Sequence, residues 1–159
     1  MSADHQQYLG RAEIEAIIPH RGSSLLIDEI IEVEWGKRGV GRILDVGSIS
    51  YLEGHFPGFP VMPGAFLVEA LAEVGAVAVL GLPQNRGKIA MLTGLEGWKF
   101  RKPALPGRAV LLEGNITNLR SNYGRGHGRA TSGDDLLAEG DLSFAIIPLP
   151  QELATPALR

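Results

Sequence analysis

The stretch that decides the fold runs from Glu53 to Leu82, EGHFPGFPVMPGAFLVEALAEVGAVAVLGL. Its first part, Glu53–Gly64, holds three prolines and three glycines in 12 positions. Such a segment has few regular conformations open to it, so it reads as an irregular loop. Its apolar Phe56, Phe59, Val61 and Met62 favour an ordered one. The second part, Ala65–Leu82, is built of good helix formers and is apolar nearly all round, interrupted only by Glu69 and Glu73 among charged residues. That pattern predicts a buried helix, with Gly64 at its start and Gly81 and Pro83 near its end.

A helix apolar on every side needs something to wrap around it. Upstream, Arg11–Ile18 predicts a short amphipathic helix stopped by Pro19, and Leu25–Val33 and Val40–Val46 predict strands around the turn GKRG at Gly36–Gly39. Downstream, Ile89–Thr93, Gly97–Arg101, Ala109–Asn118, Gly124–Thr131 and Leu136–Ile147 predict further strands bounded by Pro, Gly and Asn turns. The expected class is α+β: one long helix and a curved antiparallel sheet in a single domain spanning 1–159, with loose ends at 1–10 and 148–159.

Composition narrows the function classes. The chain has 159 residues, 15 basic and 18 acidic, for a net charge of −3. That balance does not suit wholesale nucleic-acid binding. With no cysteine, disulfide frameworks, thiolate metal sites and cysteine nucleophiles are excluded. The N-terminus lacks a signal-peptide apolar core, and the Ala65–Leu82 run is too charged for a membrane span. A cytoplasmic protein without cofactor or metal is expected. Gly124–Gly128 (GRGHG) lacks the strand-before, helix-after context of a phosphate loop.

Two side chains in the deciding stretch carry chemistry. His55 lies in the rigid loop and Glu69 in the second turn of the expected helix. Histidine suits a general base, and a carboxyl on an apolar helix suits a general acid. Gly64 would present a backbone N–H at a helix N-terminus, with no side chain to keep a carbonyl oxygen away. Base, acid and oxyanion donor together match elimination of water from a β-hydroxy thioester. Taken singly, each has an ordinary reading: a loop histidine that ties backbone, a solvated helical glutamate. Glu73 follows Glu69 by one helical turn, so the two acids would titrate as a pair. Glu73 is either an alternative acid or, as we read it, a polar partner that orients a neighbour. His20 and His127 read as a structural residue of the opening turn and an exposed strand residue.

At this point the sequence resembles a known family. GHFPGFPVMPGAFLVEALAE, Gly54–Glu73, is similar to the signature of the FabZ-type (3R)-hydroxyacyl-acyl-carrier-protein dehydratases. Pro19-His20-Arg21 with Leu25-Leu26-Ile27-Asp28 resembles the family's PHR…LLVD opening, and GLEGWKFRKPALPG, Gly94–Gly107, its later segment. The resemblance spans Ile14 to Ile146. It implies a hotdog fold, homodimers often assembled as trimers of dimers, and an active site shared across the dimer interface. It places the catalytic histidine on His55, the catalytic glutamate on Glu69 of the other subunit, and the thioester-binding amide on Gly64. Phe56, Phe59 and Phe66 become candidates for contact with the acyl chain. The related FabA-type enzymes carry Asp at the acid position, so Glu69 favours the FabZ side.

The family commonly has Gln where Glu73 stands, a polar residue at Phe59, an aromatic stretch at Gly22-Ser23-Ser24 and Asp-Lys at Glu96-Gly97. These departures spare the catalytic pair and bear on pocket shape. The implied partner is an acidic acyl carrier protein bearing phosphopantetheine-linked substrate. Arg101 and Lys102 are the foremost docking candidates, with Lys99, Arg108, Arg125 and Arg129 behind them, against the reading of a solvated strand edge. A hotdog thioesterase and a non-catalytic acyl-thioester-binding module are the rival readings.

Overall fold

The computed structural model describes residues 7–150. A short helix α1 (Arg11–Ile17) leads into β1 (Glu29–Glu34) and β2 (Arg38–Ile43), followed by the long helix α2 (Gly64–Leu80). Four strands complete the chain: β3 (Lys88–Phe100), β4 (Val110–Leu119), β5 (Tyr123–Ser132) and β6 (Asp135–Pro148). They form one six-stranded sheet in the order β1-β2-β4-β5-β6-β3, antiparallel throughout. The sheet is laid around α2, the hotdog arrangement.

Helix α2 forms where its apolar run demanded. From Leu67 onward only Glu69 and Ala72 escape full burial. Burying each Leu or Val there contributes about 1.5–3 kcal/mol. The sheet approaches closely because glycines face the helix. A Cβ on Gly41 would stand 2.6 Å from Val74 Cγ2. In the GRGHG segment of β5, Gly124, Gly126 and Gly128 all turn inward, and Leu71 and Trp98 lie over Gly128. Those glycines make room for side chains rather than a ligand.

Three expectations change. The strands predicted at Ile89–Thr93 and Gly97–Arg101 are one strand, β3. Its pairing with β6 shifts register between Leu92 and Gly94 and between Glu96 and Lys99, so the glycines are absorbed as irregularities and do not end the strand. The lead-in is not loose throughout. Leu9 is buried and exchanges two backbone hydrogen bonds with Ile30, each 2.9 Å. Pro148, placed in the loose C-terminal end, closes β6 opposite Lys88. The remainder of both predicted tails, 1–6 and 151–159, lies outside the described residues. Among the described residues no helix is long and apolar enough to cross a membrane.

Candidate active site

The loop before α2 is ordered by its own backbone. Phe56 N–H donates to the Phe59 carbonyl at 2.8 Å, and Phe59 N–H donates back to the Phe56 carbonyl at 2.9 Å. Val61 N–H donates to the His55 carbonyl at 2.7 Å. The His55 side chain returns across the same turn, with Nδ1 2.8 Å from the Val61 carbonyl. A carbonyl only accepts, so Nδ1 carries the hydrogen and Nε2 of the neutral ring keeps its lone pair. The ring is half-buried and stacks on Phe56 with centroids 4.3 Å apart. The fold thus presents an imidazole held in the tautomer that a base requires.

Pro63 precedes the first residue of α2, and no side chain caps this end of the helix. Phe66 N–H closes back on the Pro63 carbonyl at 2.9 Å, and the amides before it are left for another acceptor. The ring of Phe100, from the end of β3, lies against Gly64, where an added Cβ would meet ring carbons at 2.9 Å. Packing against this ring alone therefore calls for glycine here.

Glu69 projects from the second turn with its side chain 42% exposed. Its Oε1 lies 3.2 Å from His20 Nε2. His20 was read as a structural residue of the opening turn; the structure brings it to the candidate acid. The hydrogen bond to Glu69 pushes the His20 pKa up, burial opposes this, and the charges of Glu73 and Glu69 add to the rise. His20 Nδ1 is buried without a partner among the described residues.

Glu73 is sealed off, 1% exposed. Its carboxylate accepts the Leu26 N–H, at 3.2 Å to Oε1 and 3.0 Å to Oε2, and the Ile27 N–H at 3.1 Å to Oε2. Burial pushes its pKa up to about 7, against the pull of those amides and of His20. Side-chain donor atoms of His20, Glu69 and Glu73 all lie within 4.8 Å of one another. A cation could be offered ligands there, but Glu73 is already committed to backbone. No spacing in the chain announces this cluster, which the fold assembles from positions 20, 69 and 73.

Within one subunit His55 and Glu69 share no hydrogen bond among the described residues. Phe56 and Phe59 are exposed on the loop, and Phe66 is half-buried, edge-on to Tyr51 at 6.0 Å. A narrow apolar cavity of about 20 Å³ opens between α2 and β3–β6, lined by Ala72, Gly75, Ala90, Leu92, Leu142 and Phe144 among others. The three phenylalanines lie outside that lining. Arg101 is paired with Glu139 at 3.0 Å, and Lys102 with Asp135. His127, expected as an exposed strand residue, holds Asp141 Oδ1 at 2.7 Å.

Residues 18–141 match the FabA-like domain family. This chain belongs to the FabA-like family and, within it, to the FabZ type. It is 50% identical over 135 residues to the 3-hydroxyacyl-acyl-carrier-protein dehydratase FabZ of Thermomicrobium roseum, covering 85% of this chain and 91% of that protein. To the FabZ of Roseiflexus sp. (strain RS-1) it is 51% identical over 134 residues, with coverage of 84% and 94%. Among solved structures it is similar to the dehydratase heterocomplex ApeI:P from Xenorhabdus doucetiae, with a TM-score of 0.71, 21% identity, and coverage of 92% of this chain and 96% of that one. A sigma28-regulated virulence protein of Campylobacter jejuni shares the fold at a TM-score of 0.61 and 15% identity, with coverage of 87% and 89%. In this FabZ-type chain, then, His55, Gly64 and Glu69 stand on one loop-and-helix unit, with His20 and Glu73 gathered around Glu69.

Proposed function

We propose that this protein is a dehydratase acting in the cytoplasm on (3R)-3-hydroxyacyl chains carried by acyl carrier protein, releasing water and leaving the trans-2-enoyl thioester. The observation that carries the reading is the His55 imidazole, whose Nδ1 is committed to the Val61 carbonyl 2.8 Å away, on the same unit as a solvent-reachable Glu69 and an uncapped helix start. A base with a free Nε2, an acid and amide donors are what β-elimination beside a thioester needs.

In this reading the Gly64 amide holds the thioester carbonyl oxygen as negative charge grows on it. His55 Nε2 takes the proton from the carbon next to the carbonyl. Glu69 gives a proton to the β-hydroxyl, and the C–O bond breaks with its electron pair leaving as water. The cycle closes when the proton on His55 is returned to the acid side.

The pair is completed between subunits: His55 of one and Glu69 of the other. Strand β3 supports this, because among the described residues it ends the sheet and pairs only with β6. Along it Met91, Leu92 and Leu95 are 51%, 40% and 55% exposed. A long strand with a bare edge and an apolar surface is a pairing site, here for a second copy. Arg101 and Lys102 remain the docking candidates for the acidic carrier. Exposed ion pairs contribute little, so exchanging Glu139 or Asp135 for a carrier carboxylate costs little.

The test is direct: purified protein with hydroxyacyl-carrier substrate, followed for the enoyl product and for free thiol. Enoyl formation without thiol release is expected. Thiol release would point to a thioesterase, and binding without turnover to a non-catalytic module.

A further inference from the structure

Glu73 is the most deeply buried carboxyl side chain among the described residues. Its contacts with the Leu26 and Ile27 amides do not explain a carboxyl here, because a neutral amide oxygen would accept those two N–H groups equally well. Burying a carboxylate is unfavourable relative to such an isostere. A carboxyl in place of an amide has to be explained by what it faces.

It faces His20 and Glu69, all within 4.8 Å donor atom to donor atom. The other charges near this cluster are otherwise engaged. The Arg21 guanidinium is bound to the carbonyls of Glu15, Ile18 and His20. Asp28 accepts the Leu44 N–H, and Glu29 is held by Tyr8 and Arg42. From the open side, in the dimer proposed above, comes the His55 of the other subunit.

We infer that Glu73 is a positioning residue for the dehydration: once ionised, its buried carboxylate keeps a proton in the His20–Glu69 pair, so that Glu69 meets the hydroxyl as an acid. The inference rests on the dehydratase reading. The proton moves in balance. As Glu69 protonates the leaving hydroxyl, His20 passes its Nε2 proton to Glu69 Oε1, and His55 holds the proton taken from carbon until it is returned to the His20–Glu69 pair.

The experiment compares the natural chain with Glu73→Gln, which keeps the backbone contacts and removes the charge. The His20 ring signals are followed by NMR against pH without substrate, and the pH profile of kcat is measured with hydroxyacyl-carrier substrate, each enzyme normalised to its own plateau. In the natural chain the His20 signals should titrate in two steps, the first reporting Glu73 and the second His20 itself. In Glu73→Gln they should titrate in one, with the midpoint lower by about one pH unit. The alkaline limb of kcat should move down by a similar amount, roughly a tenfold loss at a fixed pH on that limb. An unmoved His20 midpoint, or a moved midpoint with an unmoved limb, overturns the inference. If Glu73→Gln does not fold, single-step titration of His20 in the natural chain overturns it. A chain that shows the coupling yet makes no enoyl product refutes the dehydratase reading while leaving the electrostatic coupling standing, so the two failures are distinct.

Discussion

His20 Nε2 and Glu69 Oε1 stand 3.2 Å apart, joining the segment after α1 to the second turn of α2 across 49 positions of sequence. Glu69 is half-exposed, so without this contact its carboxyl would sample several rotamers. Positioning of this kind is worth a measurable part of the rate. His20→Ala should lower kcat by about tenfold with a smaller change in KM, because the group acts on the acid and not on the acyl chain. Steady-state kinetics with a melting curve as control checks this. An unchanged kcat would show that Glu69 is aimed by something else.

Gly64 and Phe100 are similarly bound to one another. Gly64→Ala would drive a methyl group into ring carbons 2.9 Å away. Overpacking of this kind costs roughly 1–3 kcal/mol. Phe100→Ala should restore room, so the double variant is expected to be more stable than the two single effects added together. A coupling energy of about 1 kcal/mol from a double-mutant cycle in urea would bear this out. Strict additivity would mean that the ring simply swings away.

Much of this arrangement was legible in the chain. The apolar run Ala65–Leu82 marked α2 within a residue or two, and the Gly/Pro composition of Glu53–Gly64 marked an ordered loop. Glycine was the weak point. At Gly94 and Gly97 it signalled strand ends, where β3 instead shifts its register against β6 and continues. His20 could not be placed beside Glu69 from local pattern, because the contact depends on how the segment after α1 lies over α2. The partners of Glu73 were hidden for a different reason: they are backbone amides of Leu26 and Ile27, and every residue but proline has one. The functional readings of His55, Glu69 and Gly64 came from residue types on one rigid unit, strengthened by the family resemblance.

The raised pKa of Glu73 makes stability depend on pH. Its carboxyl holds a proton up to about 7 in the folded chain but only to its ordinary value of 4.5 when unfolded. Between those values the folded state binds more protons, so this contribution falls as pH rises and is lost once pH passes the folded value. His20, also raised, acts in the same direction at higher pH. Glu73→Gln removes the first effect. Measured by urea denaturation at fixed protein concentration, the variant should gain about 1–3 kcal/mol on the natural chain between pH 5 and pH 8. Parallel stability curves would show that Glu73 ionises normally in the fold.

The proposed sharing of the site between subunits makes the sharpest prediction. His55→Ala and Glu69→Gln should each lower kcat by about 10²–10⁴-fold while the protein stays folded. If each site takes His55 from one subunit and Glu69 from the other, a mixed dimer of the two variants holds one intact site and one lacking both groups. Unfolding and refolding an equal mixture should make about half the dimers mixed and recover about a quarter of the natural activity. Were both groups drawn from the same subunit, no pairing of these variants could rebuild a site. The mixture would then stay as inactive as its parents. A charge on the bare edge, Leu95→Asp, should weaken the dimer in sedimentation and reduce turnover in step with the loss of dimer.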